Sequence, residues 1–99
     1  PEEVNSSTRV LFVNLGAEEE AAVLPLLRQL RGREIAAEIY PEAGKMKKQM
    51  EYANRRGIPY VVIVGSQELE AGDATVKDMR TGEQRQVSLD KLATEICNS

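Results

Sequence analysis

Ninety-nine residues with 41% apolar, 29% charged and only 4% aromatic content describe one small domain, too short for two independent cores. No apolar run approaches the roughly 20 residues a membrane helix needs, and thirteen Lys and Arg against sixteen Asp and Glu leave a net charge of −3, which excludes a uniformly basic nucleic-acid binder but not a local basic patch. The absence of His and the single cysteine, Cys97, remove imidazole bases, Cys/His zinc sites, CxxC redox pairs and internal disulfides, and favour a cytoplasmic setting.

Pro1–Thr8 (PEEVNSST) is polar and reads as a linker from an upstream domain, leaving residues 9–99 as the folded unit. Arg9–Leu15 contains Val10, Leu11, Phe12 and Val13 without alternation, the pattern of a strand covered on both faces in the middle of a parallel sheet. Glu18–Arg31 is the first helix, with Val23, Leu26, Leu27 and Leu30 on one stripe and Glu18, Glu19 and Glu20 where a helix start favours negative charge. Pro25 points away from that stripe, so a bend without a break is expected there. Glu34–Tyr40 alternates Ile35, Ala37 and Ile39 with wetter positions and reads as an edge strand. Lys45–Arg56 is the second helix, with Met46, Met50 and Ala53 as its buried stripe and Gly57 as its left-handed exit. Pro59–Val64 is a second strand buried on both faces. A polar loop, SQELEAGD, then leads to a hairpin of Ala74–Met79 and Gln84–Val87 around Thr81-Gly82. Ser88 is placed to cap a last helix whose Leu89, Leu92, Ala93 and Ile96 share one face. Right-handed crossovers then give an α/β three-layer sandwich, a five-stranded mixed sheet of order 2-1-3-4-5 with one strand antiparallel and three helices.

The chemistry available is narrow. Asn14-Leu15-Gly16 occupies the strand-to-helix position of nucleotide-binding loops, but there is no GxGxxG or GxxxxGK[ST] and the three following glutamates oppose a phosphate, so a plain turn is expected. Ser66, Ser88 and Cys97 lack a His partner, Cys97 reads as an inert terminal thiol, and Asp73 and Asp78 read as solvated strand residues, so independent catalysis is not expected. Residues 45–56 hold five cations against Glu51, a local balance of +4, while the remaining chain sums to −7. Lys45, Gln49, Tyr52 and Arg56 fall on one strip beside the apolar stripe; cation, amide, phenol and guanidinium together suit phosphate and exposed bases, although a solvated helix face would also carry lysines. Glu68, just past the third strand, and Lys77, in the fourth, could approach the same end of the sheet, where a carboxylate and a cation would read base edges.

The combination of VLFVNLG, of Lys45, Lys47, Lys48, Gln49, Tyr52 and Ala53 (KxKKQxxYA), of Gly65, Glu68 and Gly72 (GxxExxxG), and of Lys77, Asp78, Thr81, Gly82, Glu83 and Gln84 (KDxxTGEQ) resembles the C-terminal anticodon-binding domain of class II aminoacyl-tRNA synthetases, most of all that of the histidyl enzymes. The resemblance covers about residues 9 to 97. It implies a five-stranded mixed sheet with three helices that docks the anticodon loop of histidine tRNA. Carried over by position, Glu68 is implied in base-edge readout, Lys77 in base or phosphate contact, Lys45, Lys48 and Arg56 in holding the RNA backbone, and Gln49, Tyr52 and the turn Glu42, Ala43, Gly44, Lys45 in further contacts. No cofactor or metal is implied for this domain; ATP and Mg are implied for a parent ligase, a homodimer whose catalytic domain carries motifs not found in this sequence. Two other readings compete: a protein-interaction domain of a synthetase-like regulator, and the anticodon domain of a threonyl-, prolyl- or glycyl-tRNA synthetase.

Overall fold

The first apolar run forms β1, Val10–Phe12, in a computed structural model that describes residues 8–97. The expected linker Pro1–Thr8 therefore lies, apart from Thr8, outside the described residues, as does the side chain of Cys97. After β1 come α1 (Ala17–Gly32), β2 (Ala37–Ile39), α2 (Met46–Arg56), β3 (Tyr60–Ile63), α3 (Ser66–Ala71), β4 (Asp73–Asp78), β5 (Gln84–Ser88), a 3-10 turn over Leu89–Lys91 and α4 (Leu92–Cys97). The sheet order is β2-β1-β3-β4-β5; β1 pairs in parallel with β2 and β3, and β4 runs antiparallel to β3 and β5. Order and strand directions match the sequence expectation.

Successive strand residues point to opposite faces, so the unbroken apolar runs feed two cores. Val10, Phe12, Tyr60, Val62 and Val64 pack with Val23, Leu26, Leu27 and Leu30 of α1 and Leu92, Ala93 and Ile96 of α4. Leu11, Val13 and Val61 pack on the other face with Ala53 of α2 and with Ile58. The edge strand β2 has one end of its open side blocked, because the Arg31 guanidinium donates to the Ala37 carbonyl at 3.1 and 3.3 Å.

α1 runs through Pro25, starting at Ala17, and holds the proline on its exposed side while the four predicted apolar residues are buried. Two expectations need correction. Among the described residues there are four α-helices, not three, because SQELEA is helical: six residues are too few to show a periodic stripe, and only Leu69 of them packs on the core. Its start is closed by Glu68, whose Oε1 accepts from the Gly65 N–H at 3.0 Å. The last helix also begins as a 3-10 turn, with no side-chain hydrogen bond from Ser88 at its start.

α1 and α2 end the same way with different residues. In α1 the Ile35 N–H reaches the Leu30 carbonyl and the Glu34 N–H the Arg31 carbonyl, each at 3.0 Å, with Glu34 left-handed at φ 65. In α2 the Ile58 N–H reaches the Ala53 carbonyl at 3.0 Å over Gly57 at φ 70. Both closures bring an isoleucine into the core, but only Gly57 adopts that backbone without Cβ strain. We expect Glu34→Gly to raise unfolding free energy by about 1 kcal/mol in urea melts. Leu30→Ala, at a fully buried position, is expected to lower it by about 3 kcal/mol.

Candidate nucleic-acid interface

β1 and β2 both hand over to helices at their carboxyl ends, but the helices lie on opposite faces of the sheet. Crevices beyond the carboxyl ends of parallel strands, where neighbouring connections diverge, are where open α/β sheets take ligands. Here the two helix starts carry opposite charge. α1 begins with Glu18, Glu19 and Glu20, which its dipole favours; α2 has Lys45 at its cap and Lys47 and Lys48 in its first turn, all exposed, with no acidic residue and no side-chain cap. A cation at a helix N-terminus opposes the macrodipole by about 0.3–1 kcal/mol. The basic balance read from residues 45–56 is thus concentrated at one corner, with Arg55 exposed at the far end of the same helix.

The turn that delivers those lysines is held by two buried amides. Gln49 is fully buried. Its Oε1 accepts from the Asn14 N–H at 2.7 Å, and its Nε2 donates to the Asn14 carbonyl at 2.8 Å and to the Gly44 carbonyl at 3.1 Å. Asn14, 2% exposed, donates through Nδ2 to the Tyr40 carbonyl at 3.0 Å and accepts at Oδ1 from the Gly16 N–H at 3.2 Å. Gln49 is therefore not placed to touch RNA, which corrects the strip read from the helix wheel: the buried line of α2 centres on Gln49 and Ala53, with Met46 and Met50 only partly buried beside it. The Asn14-Leu15-Gly16 turn is no phosphate cradle either. Its Gly16 N–H is already used, Gly16 adopts φ 148, and a Cβ there would stand 3.0 Å from a Glu19 carboxylate oxygen.

Tyr52 and Arg56 face the β2 edge. The Tyr52 hydroxyl donates to Glu38 Oε2 at 2.9 Å and accepts from Arg56 Nη1, its ring meets Tyr40 edge-on at 5.2 Å, and the Arg56 guanidinium lies 5.4 Å from its centroid. Glu38 is also bonded by the Thr8 hydroxyl at 3.2 Å. Neither Tyr52 nor Arg56 is fully open, and the Arg56 Nε is buried without a hydrogen-bond partner. Burial first, then the hydrogen bond to Glu38, raises the Tyr52 phenol above its ordinary value of 10.0.

Glu68 and Lys77 share a face but not an end. Lys77 pairs with Val61 and Gln84, and Thr75 with Ile63 and Gln86; Val61 and Ile63 belong to the core on the α2 side, so all of these lie on that face. Gln84 and Gln86 are exposed there, and Thr75 and Lys77 half-buried. Glu68 borders a cleft of about 210 Å³ with Gln67, Ala71, Asp73 and Gln86. Two strand residues, roughly 7 Å, separate Gln86's partner Thr75 from Lys77. The arrangement is a polar strip along β4 and β5, not the single carboxylate and cation pair expected from spacing. On the hairpin, Asp78 binds Arg80 through Oδ1 and Oδ2, and the Arg80 side-chain hydrogen bond holds its carboxyl below 3.8; Arg80 also donates to the Tyr60 hydroxyl at 3.0 Å. Among the described residues no group of three His, Cys, Asp or Glu is placed to hold a metal.

Sequence reasoning missed Asn14 as a structural knot, Gln86 and Thr75 on the strip, and the cleft beside Glu68. The strand alternation of Thr75, Lys77, Gln84 and Gln86 was a usable signal for the strip; nothing local marked Asn14 and Gln49 as partners 35 positions apart.

A family described as the anticodon binding domain matches residues 9–98. The chain belongs to this family. The histidine-tRNA ligase of Phocaeicola vulgatus is 51% identical over 92 residues, 93% of this chain and 20% of that protein; the one of Thermococcus kodakarensis is 33% identical over 98 residues, 97% and 22%. The crystal structure of histidyl-tRNA synthetase from Nostoc sp. PCC 7120 superposes with a TM-score of 0.88 at 33% identity, covering 93% of this chain and 22% of that one. The chain spans about a fifth of the length of these curated relatives. Five strands in the order 2-1-3-4-5 are thus the framework of an anticodon-binding domain.

The raised Tyr52 value has a pH signature. The protonated phenol is favoured in the fold, so its contribution to stability is full below pH 10.0 and is lost as pH rises through the folded value. Tyrosinate absorbance is expected to show Tyr52 losing its proton later than a free phenol, and Tyr52→Phe should remove that late component; a Tyr52→Phe titration identical to wild type would contradict the geometry.

Proposed function

We propose that this domain grips the anticodon stem-loop of histidine tRNA on behalf of a parent histidine-tRNA ligase. The observation that carries the reading is the start of α2, where Lys45, Lys47 and Lys48 stand against their own helix dipole, on the sheet face that also bears the open polar strip of β4 and β5. Charge placed there at a cost to the helix is charge suited to an anion. Similarity to histidine-tRNA ligases over more than nine-tenths of the chain supports the choice of tRNA.

In this reading Lys45, Lys47 and Lys48, with the Gly44 backbone, neutralise loop phosphates. Glu68 accepts from base amino or imino groups in its cleft, and Lys77 reaches a base carbonyl or a phosphate further along the strip. Tyr52 and Arg56, occupied with Glu38 and each other, contribute at the margin. Amino-acid activation with ATP and magnesium, and transfer to the tRNA, fall to the catalytic domain of the parent, a homodimer in this reading. The single cysteine fits its cytoplasmic setting.

The test is a titration with labelled anticodon stem-loops, one bearing GUG and one a swapped anticodon, at low and moderate salt. Preference for GUG that persists as salt rises is expected; equal binding that vanishes with salt would leave only phosphate gripping and refute anticodon readout. Lys48→Glu should stabilise the fold by about 0.3–1 kcal/mol by removing the dipole conflict, while weakening binding to either loop and flattening the salt slope by about one. Glu68→Gln should chiefly erode the preference between loops. If it weakens both equally, Glu68 does not read a base.

A further inference from the structure

The turn between β2 and α2 is exposed from Pro41 to Lys45 and belongs to no helix or strand, yet both of its ends are tied to one residue of β1's exit. Asn14 holds the entering end through Nδ2 on the Tyr40 carbonyl, and its own carbonyl accepts from the Gly44 N–H at 3.4 Å. Gln49 holds the leaving end through Nε2 on the Gly44 carbonyl while pairing with both main-chain groups of Asn14. The carboxamide of Gln49 behaves as a peptide group added to the end of β1, with its acceptor and both donors satisfied. An amide with that much bonding and no exposed surface is poor material for a contact residue and good material for a brace.

We infer that the Asn14–Gln49 amide pair is a positioning device for RNA binding: it fixes the 41–45 turn, with Lys45, and Lys47 and Lys48 of α2 in the geometry that meets the phosphates, so that the loop does not have to order them on arrival. This rests on the proposed RNA function and adds to it residues that do not touch RNA. Ordering in advance raises affinity in proportion to the fraction of molecules already competent. A turn competent in a tenth of molecules would bind about tenfold more weakly. Because every lysine is retained, the number of phosphates neutralised, and with it the salt slope, stays as in wild type.

The experiment compares wild type, Gln49→Met, Gln49→Glu and Lys48→Gln in stem-loop titrations across salt, with amide hydrogen exchange read residue by residue. Gln49→Met is expected to lose about tenfold in affinity at every salt concentration with an unchanged slope, and to speed exchange over residues 42–48 while α1 and β3 stay protected. Lys48→Gln is expected to do the reverse, flattening the slope with exchange over residues 42–48 no faster than in wild type. Gln49→Glu, which keeps the acceptor but loses both donors when ionised, should regain part of the binding as the pH is lowered enough to protonate it, since the carboxylic acid restores one of the two donors. Should Gln49→Met unfold the chain, Glu34→Gly supplies a stabilised background remote from the turn, and Asn14→Asp, which removes the donor to Tyr40, gives a second break in the same brace. Wild-type affinity in folded variants whose turn exchanges faster would overturn the inference while leaving the RNA function intact. A flattened slope in Gln49→Met would make Gln49 part of the contact surface and also overturn it. Failure of wild type to bind either loop would overturn the RNA function, and the positioning role with it.

Discussion

Two short strands, Val10–Phe12 and Tyr60–Ile63, carry apolar side chains on both faces, and that single constraint organises the rest. A strand buried on both sides needs a helical layer on each side, and right-handed crossovers then send α1 over one face and α2 over the other. Since both helices start from the same end of the sheet, their first turns become neighbours at that end while facing opposite ways. Acidic residues open α1 and lysines open α2, so a chain with net charge −3 nevertheless has one positive corner.

Local stability is unevenly distributed around that corner. The acidic turn of α1 agrees with its dipole; the basic turn of α2 does not, and α2 has no side-chain cap to offset this. What secures α2 comes from elsewhere. Its far end is closed over Gly57 with Ile58 in the core, and Gln49 attaches its first turns to β1 through fully paired buried amides. Such a network rigidifies because any partial opening strands polar groups in a dry interior. Removing charge from the lysine turn and removing the brace behind it are physically different changes, one altering the field and the other the order.

Much of the fold was legible in residues 9 to 64 because both periods are strong there. Val23, Leu26, Leu27 and Leu30 sit at helical spacing, and the unbroken runs of β1 and β3 read correctly as central strands. α3 was not legible, since a six-residue helix closed by Glu68 on its own start leaves only Leu69 as an apolar mark. In the site, Lys45 of the wheel strip is exposed, as are Gly44 and Lys48, which only the resemblance pointed to, but Gln49 is buried. A wheel can rank faces by polarity and therefore turned a glutamine outward; it has no way to register a strand end that needs an amide partner.

Composition, periodicity and motif wording by themselves determined the class of fold, the sheet order, the helix carrying the cations and the family resemblance, because each depends on residues near one another in sequence. Only the tertiary structure decided that Gln49 and Asn14 meet across 35 positions, that Tyr52 and Arg56 turn to Glu38, and that Glu68 and Lys77 occupy different points of one open strip. Those facts depend on hydrogen-bond partners and strand register, which are fixed only when distant segments are packed against a common core.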